Sequence, residues 1–344
     1  NELERKLSPT RKVMWHVTSL AKREPGRIVF PEGEEDSILR AAEIVSQERI
    51  ATPILLGRTS VMRERAMALG VDLERVQLLD NHASEENLRY AEALFALRNR
   101  RGMTLNAARR LIHQRLYFGL MMLQLGEVDG LVSGLTGAYP ETIRPALQII
   151  GVRDEVRRAA GCYLVVTKND VKLLADTTIN IQPDAETLAE TAMLTADLAN
   201  NLGISPRIGM LSFSNFGDAP HRHSQKVARA VQLIRERRPD LEVDGEMQAD
   251  VALLEEAREP YPFSTLSGSA NVLIFPNLDA GNIAYKLLAA LGSEVIGPIV
   301  LGVRRPVNVL SQGASVSKIV HMTSLTVAHA IRLARASVQP SKMP

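Results

Sequence analysis

The sequence predicts an α/β protein of two lobes, each a mostly parallel sheet flanked by helices, and three observations carry that prediction. Short apolar runs alternate with amphipathic stretches along most of the chain, the βαβ rhythm of a parallel sheet. The 344 residues exceed what one hydrophobic core usually holds. Loops rich in glycine, hydroxyl and acidic residues recur where those apolar runs end, which is where open α/β sheets bind ligands.

The first 24 residues are a charged, helix-like lead-in. Lacking a starting methionine, they read as a linker from a longer polypeptide. Arg27–Phe30 follows as a strand stopped by Pro31-Glu32-Gly33, then Ser37–Gln47 as an amphipathic helix and Pro53–Leu56 as a strand ending at Gly57. Ser60–Leu69 reads as helix, Val76–Leu79 as strand, and Glu85–Arg98 and Leu105–Leu125 as two longer helices. In the second of these, Leu111, Phe118, Met121, Met122 and Leu125 form a stripe suited to a core or a dimer face.

The stretch Asp129–Ile150 organises the rest. It reads as a strand (130–132), a Gly-rich turn, and a helix from about Thr142. Ser133, Gly134, Thr136 and Gly137 allow a tight turn with N–H groups aimed outward. Arg144-Pro145 is expected at the helix entrance, where the dipole and the guanidinium together attract anions. An ordinary strand–helix corner is the competing reading.

The charged run VRDEVRR (152–158) marks a lobe boundary. The second lobe opens with paired strands, Cys162–Thr167 and Val171–Ala175, around a Lys168-Asn169-Asp170 turn. Helices are expected at Asp184–Asn201, Ser224–Arg238 and Gly281–Leu291, and strands at Arg207–Ser212, Glu242–Asp244, Val272–Phe275 and Ile299–Leu301. The last helix, about Ser315 to Arg335, is expected to pack back on the first lobe. The domains are then 1–24 as lead-in, 25–154 plus 304–344 as a discontinuous first lobe, and 155–303 as the inserted second.

Composition narrows the function. A formal charge of +2 gives no reason to expect nucleic acid, and no apolar run approaches the ~20 residues of a membrane span. The single cysteine, Cys162, excludes an internal disulfide framework and suits a cytoplasmic setting; in its apolar run it reads as core. No phosphate loop of the GxxxxGK[ST] kind and no GxGxxG fingerprint occurs, which counts against ATPase and ordinary dehydrogenase readings. His221 and His223 have no third ligand at motif spacing, so no metal site is expected. The acids Glu32, Glu34, Glu35 and Asp36 read as a solvated helix start rather than as catalysts.

Several segments match in order those of a known family: RIVFPEGEE, RRGMT, DGLVSG with IRPALQII, PDAETLAE, RPDLEVDGEMQAD, SANVLIFPNLDAGNIAYKL and GPIVLGVRRPVNVLSQGASV. Over about residues 25–335 the chain resembles the phosphate acetyltransferases. The resemblance implies a two-lobed homodimer with coenzyme A or acetyl-CoA in a cleft and an acetyl group moved between coenzyme A and phosphate. It places Arg98 and Arg144 at the family's two phosphate-binding arginines, and Ser311 at its active-site serine. Ser133, Thr136 and Gln312 are further candidates for contact with acetyl-CoA or phosphate.

The chain departs from the family pattern in three places, one being the segment after SG, where the enzymes typically carry a His-Thr pair and this chain has Gly137-Ala138-Tyr139-Pro140. Gln312 stands where the family has an arginine, and Lys318 where it has its catalytic aspartate. An ordinary lysine is protonated at neutral pH and cannot accept the thiol proton. SNFG, DGEM, GAY and GSANVL further resemble the trailing domain of bacterial hybrid malic enzymes. That resemblance implies a non-catalytic domain that binds acetyl-CoA as an effector and assembles the oligomer. The missing upstream part would oxidise malate with NADP and Mg or Mn, and no cofactor would be bound by this fragment. The alternative expectation is an active phosphate acetyltransferase with a relocated base, such as Asp279 or a histidine.

Overall fold

The structure, a computed structural model, describes residues 9–166 and 170–338. The first eight residues of the lead-in, and Lys168 and Asn169 of the expected turn, lie outside the described residues. Among the described residues the chain divides into two compact units, one of Val17–Gly151 with 303–338, the other of Val152–Gly302 with 9–16.

The first unit is built on near-continuous apolar strands, as expected of a parallel sheet buried on both faces. Its elements begin with the part of α1 (Pro9–Arg23) from Val17 onward, then β1 (Gly26–Phe30), α2 (Asp36–Gln47), β2 (Ala51–Leu56), α3 (Thr59–Leu69) and β3 (Gln77–Leu79). There follow α4 (Asn87–Arg98), a 3-10 turn at Asn99–Arg101, α5 (Leu105–Ile112), α6 (Arg115–Gln124), β4 (Gly130–Ser133) and α7 (Tyr139–Ile149). Helix α2 buries Ile38, Leu39, Ala42 and Val45, one face of a 3.6-residue period. A core of Val29, Ile54, Leu56, Leu94, Leu131 and Ile149 surrounds Tyr90 and Phe118, whose rings meet edge to face at 4.8 Å.

The expected single helix over 105–125 is two. Gln114 is extended, and the break leaves the His113 carbonyl to accept the Asn81 side-chain amide at 2.7 Å. Helix α7 begins one turn earlier than Thr142. Pro140 falls in the first turn, where its missing N–H costs nothing, and the Glu141 carboxylate accepts the Ala138 N–H at 3.0 Å. Pro145 therefore lies inside the helix and Arg144 in its second turn, not at the entrance.

The second unit contains β5 (Ala160–Val166), β6 (Val171–Ala175), α8 (Ala185–Asn201), β7 (Arg207–Leu211), α9 (Arg222–Arg237) and β8 (Glu242–Met247). It continues with α10 (Ala249–Leu253), α11 (Glu255–Arg258), β9 (Val272–Ile274), α12 (Leu278–Ala290) and β10 (Glu294–Leu301). Its sheet runs β10-β5-β6-β9-β7-β8. β5 pairs antiparallel with β10 and β6, and the remaining neighbours are parallel. Strand β8 outruns the expected 242–244, and α12 starts three residues before Gly281 under an Asn277 cap that accepts the Ala280 N–H. Asp184 caps α8 by accepting the Thr187 N–H at 2.8 Å. Cys162 is fully buried in β5, and burial pushes its thiol pKa up.

The chain then returns to the first unit with β11 (Val307–Val309), where the sequence analysis expects no strand, and α13 (Val316–Val338). The first sheet is complete as β11-β4-β1-β2-β3, with every neighbouring pair parallel. Among the described residues no helix is long and apolar enough to cross a membrane.

Candidate active site

Because all five strands of the first sheet are parallel, their carboxyl ends share one edge. The chain winds from β1 outward to β2 and β3, then crosses to β4 and later to β11. The order reverses between β1 and β4, and such a switch point opens a crevice at the strand ends.

Glu32, two residues after β1, occupies that position. Its Oε1 accepts the Gly134 N–H at 2.9 Å and the Thr136 N–H at 3.4 Å, while Oε2 is buried without a hydrogen-bond partner. The expected outward-facing N–H groups of this turn are thus corrected: a carboxylate of the protein takes two of them. Ser133 is buried as the last residue of β4, whereas Thr136 is exposed. The loop is joined in turn to the one after β11. Leu310 N–H donates to the Ser133 carbonyl at 2.7 Å, and Gly313 N–H to the Leu135 carbonyl at 3.2 Å. Ser311 and Gln312 sit exposed between those two bonds.

Lys318 lies exposed in the first turn of α13, and its N–H reaches the Ser315 hydroxyl at 3.5 Å. A cation at a helix N-terminus opposes the dipole by a few tenths of a kcal/mol, so helix stability does not explain it. Arg98, at the end of α4, donates from Nη1 to the Gln148 carbonyl at 3.4 Å. Arg144 stands on the same helix, four residues before Gln148. Arg144 is exposed and makes no hydrogen bond or ion pair among the described residues.

Glu34 is buried rather than solvated. Its Oε1 accepts from the Arg58 N–H at 2.9 Å, from Arg58 Nε at 3.0 Å and from Arg115 Nη2 at 2.6 Å. The Arg58 hydrogen bond, joined by Arg115, holds its carboxyl pKa down at about 2 against the opposing effect of burial. Only the exact spacing of Arg58 and Arg115 in three dimensions, which no local motif encodes, reveals this cluster.

In the other unit, His221 and His223 stack at 5.0 Å, and His221 Nδ1 accepts the His223 N–H. Among the described residues no group of three or more His, Cys, Asp or Glu is placed to hold a metal. Asp279 lies in the first turn of α12.

Residues 12–327 match the phosphate acetyl/butaryl transferase family. The chain belongs to that family. It is 39% identical over 327 residues to the phosphate acetyltransferase of Thermoanaerobacterium thermosaccharolyticum, covering 92% of this chain and 99% of that protein. It is 38% identical over 321 residues to the NADP-dependent malic enzyme of Escherichia coli, where it spans 91% of its own length and only 42% of the relative's. A phosphotransacetylase structure from Streptococcus pyogenes superposes with a TM-score of 0.89 at 35% identity, covering 94% of this chain and 99% of that one.

For this member of the transferase family, the expectation of a non-catalytic acetyl-CoA-sensing domain is overturned. The malic-enzyme, oxidoreductase and NADP attributes go with it, because proteins named as phosphate acetyltransferases match 89–92% of this chain over 95–99% of their own length.

Proposed function

We propose that this chain transfers an acetyl group between coenzyme A and phosphate. The observation that carries the reading is the 39% identity to a phosphate acetyltransferase across 99% of that enzyme's length. The chemistry available on the first unit agrees with it. In the synthetic direction the coenzyme A sulfur attacks the carbonyl carbon of acetyl phosphate, forming the S–C bond. The oxyanion then collapses and breaks the C–O bond to phosphate. The thiol proton leaves to solvent and a proton is taken up by the released phosphate.

Arg98 and Arg144 supply planar, always-charged donors suited to the phosphate oxygens. Ser311 and Gln312 supply hydrogen bonds for the developing oxyanion, which is where preorganised donors lower a barrier most. With lysine at 318 there is no carboxylate at that position to take the thiol proton. A thiol of pKa near ~8.5 is already a few per cent thiolate at pH 7, and a nearby ammonium raises that fraction. Lys318 is proposed to act in that way, in place of a base. The test is the formation of acetyl-CoA from acetyl phosphate and coenzyme A by the purified chain. Turnover that rises with pH through the thiol's range supports the reading, and a chain without turnover rejects it.

The likeness to the Escherichia coli malic enzyme favours a second reading of context alone: that the chain is the trailing part of a longer hybrid polypeptide. The size of the polypeptide detected in source cells decides that, and a band at the 37.8 kDa of this chain alone rejects it.

A further inference from the structure

We infer that Glu32 is a positioning residue for the transfer reaction. It fixes the loop after β4 and, through that loop, the Ser311–Gln312 segment after β11. The inference rests on the transferase reading above and adds to it a residue that the sequence presents only as one of four adjacent acids.

Three strand ends must be held in register for side chains on two of them to meet one substrate. Glu32 leaves β1 behind Pro31, whose fixed φ limits the swing of the chain at that point. Its Oε1 reaches across the switch point and accepts two N–H groups of the neighbouring loop. Gly134, at φ +106, permits the close approach; a Cβ there would meet Val309 Cγ1 at 2.6 Å and the Leu310 carbonyl at 3.1 Å. The same loop holds the 310–313 segment through the Ser133–Leu310 and Leu135–Gly313 bonds. The order of contact is therefore Glu32, then 134–136, then 310–313, and the exposed Ser311 and Gln312 lie at its far end. No other carboxylate among the described residues bonds to the 134–136 loop N–H groups. A placement error of about 1 Å at a reacting centre costs on the order of 10²-fold in rate, which makes such a strut consequential.

The test compares Glu32→Gln, Glu32→Asp and Glu32→Ala in the full chain, with acetyl phosphate and coenzyme A as substrates. Glutamine keeps an oxygen that accepts the two N–H groups but discards the charge. Aspartate keeps the charge but falls one methylene short, and alanine has neither. Positioning predicts kcat within about fivefold of the parent for Gln, and a loss of roughly ten- to hundredfold for Asp and Ala, with the KM for coenzyme A moving less than threefold. Amide hydrogen exchange at Gly134 and Thr136 is expected to be slow in the parent and in Gln, and fast in Ala.

Equal losses for Gln and Ala overturn positioning, because the charge would then be what matters. Unchanged kcat in all three variants, or fast exchange at both amides in the parent, also overturns it. Should Glu32→Ala fail to fold, the contrast between Gln and Asp decides alone. A folded parent that turns nothing over, yet protects both amides, rejects the transferase reading and the catalytic half of this assignment together.

Discussion

At the residue scale, the clearest division is between side chains already satisfied by the fold and those left to meet a ligand. Glu34 belongs to the first group. Its carboxyl pKa, lowered from 4.5 to about 2 by Arg58 and then Arg115, binds its proton less tightly folded than unfolded. Its stabilisation is therefore complete above about pH 4.5 and drains away as the pH falls through about 2. Arg58 is largely exposed to water, so the contribution is discounted to about 1–2 kcal/mol. Urea midpoints of the parent are expected to fall more steeply between pH 5 and pH 2 than those of Glu34→Gln; parallel curves would remove Glu34 from the account. Arg144 is exposed and without a partner among the described residues, and is proposed to meet phosphate. Arg144→Ala is expected to leave the unfolding midpoint unchanged while raising the KM for acetyl phosphate roughly ten- to hundredfold, the ~1.5–3 kcal/mol of a hydrogen bond to a charged group. Both arginine positions were legible as letters in the sequence. The Glu34 cluster and the Glu32 strut were not, because partners 24 to 104 residues apart have no periodic signature.

At the scale of elements, packing explains which boundaries the sequence revealed and which it hid. Long amphipathic stretches such as α2 and capped ones such as α8 declare themselves, since period and cap are local properties. The break between α5 and α6 is not local. It depends on Asn81, a fully buried residue from another part of the chain, accepting the loss of a helical bond at His113 by donating to it. The early start of α7 was legible in principle, since Pro140 and Glu141 are first-turn residues, but Pro145 is an equally good entrance on paper. Close approach of elements leaves one sharp test. Gly130 lets α13 lie against β4: a Cβ there would meet Thr326 Cγ2 at 2.5 Å and Ile28 Cδ1 at 2.9 Å. Gly130→Ala is expected to destabilise the protein by about 1–3 kcal/mol, the usual cost of overpacking. A stability equal to the parent's, measured by denaturant unfolding, would show that α13 yields at that contact.

At the scale of the whole molecule, the α/β class and the helices flanking each sheet were legible because apolar strands and amphipathic helices alternate over hundreds of residues. What misled was the weight given to two side chains. Gln312 and Lys318 suggest a loss of catalysis, yet both are exposed on a scaffold that matches nearly full-length phosphate acetyltransferases at 36–39% identity. Replacing a base with an ammonium changes how a thiol becomes a thiolate; it does not by itself remove the thiolate. The measurement that bears most directly on this is the rate of acetyl-CoA formation from acetyl phosphate and coenzyme A by the folded chain, followed from pH 6 to pH 9. The account predicts saturable turnover in both substrates, climbing with pH as the thiol ionises. A folded chain whose rate stays at the uncatalysed background across that range would contradict it.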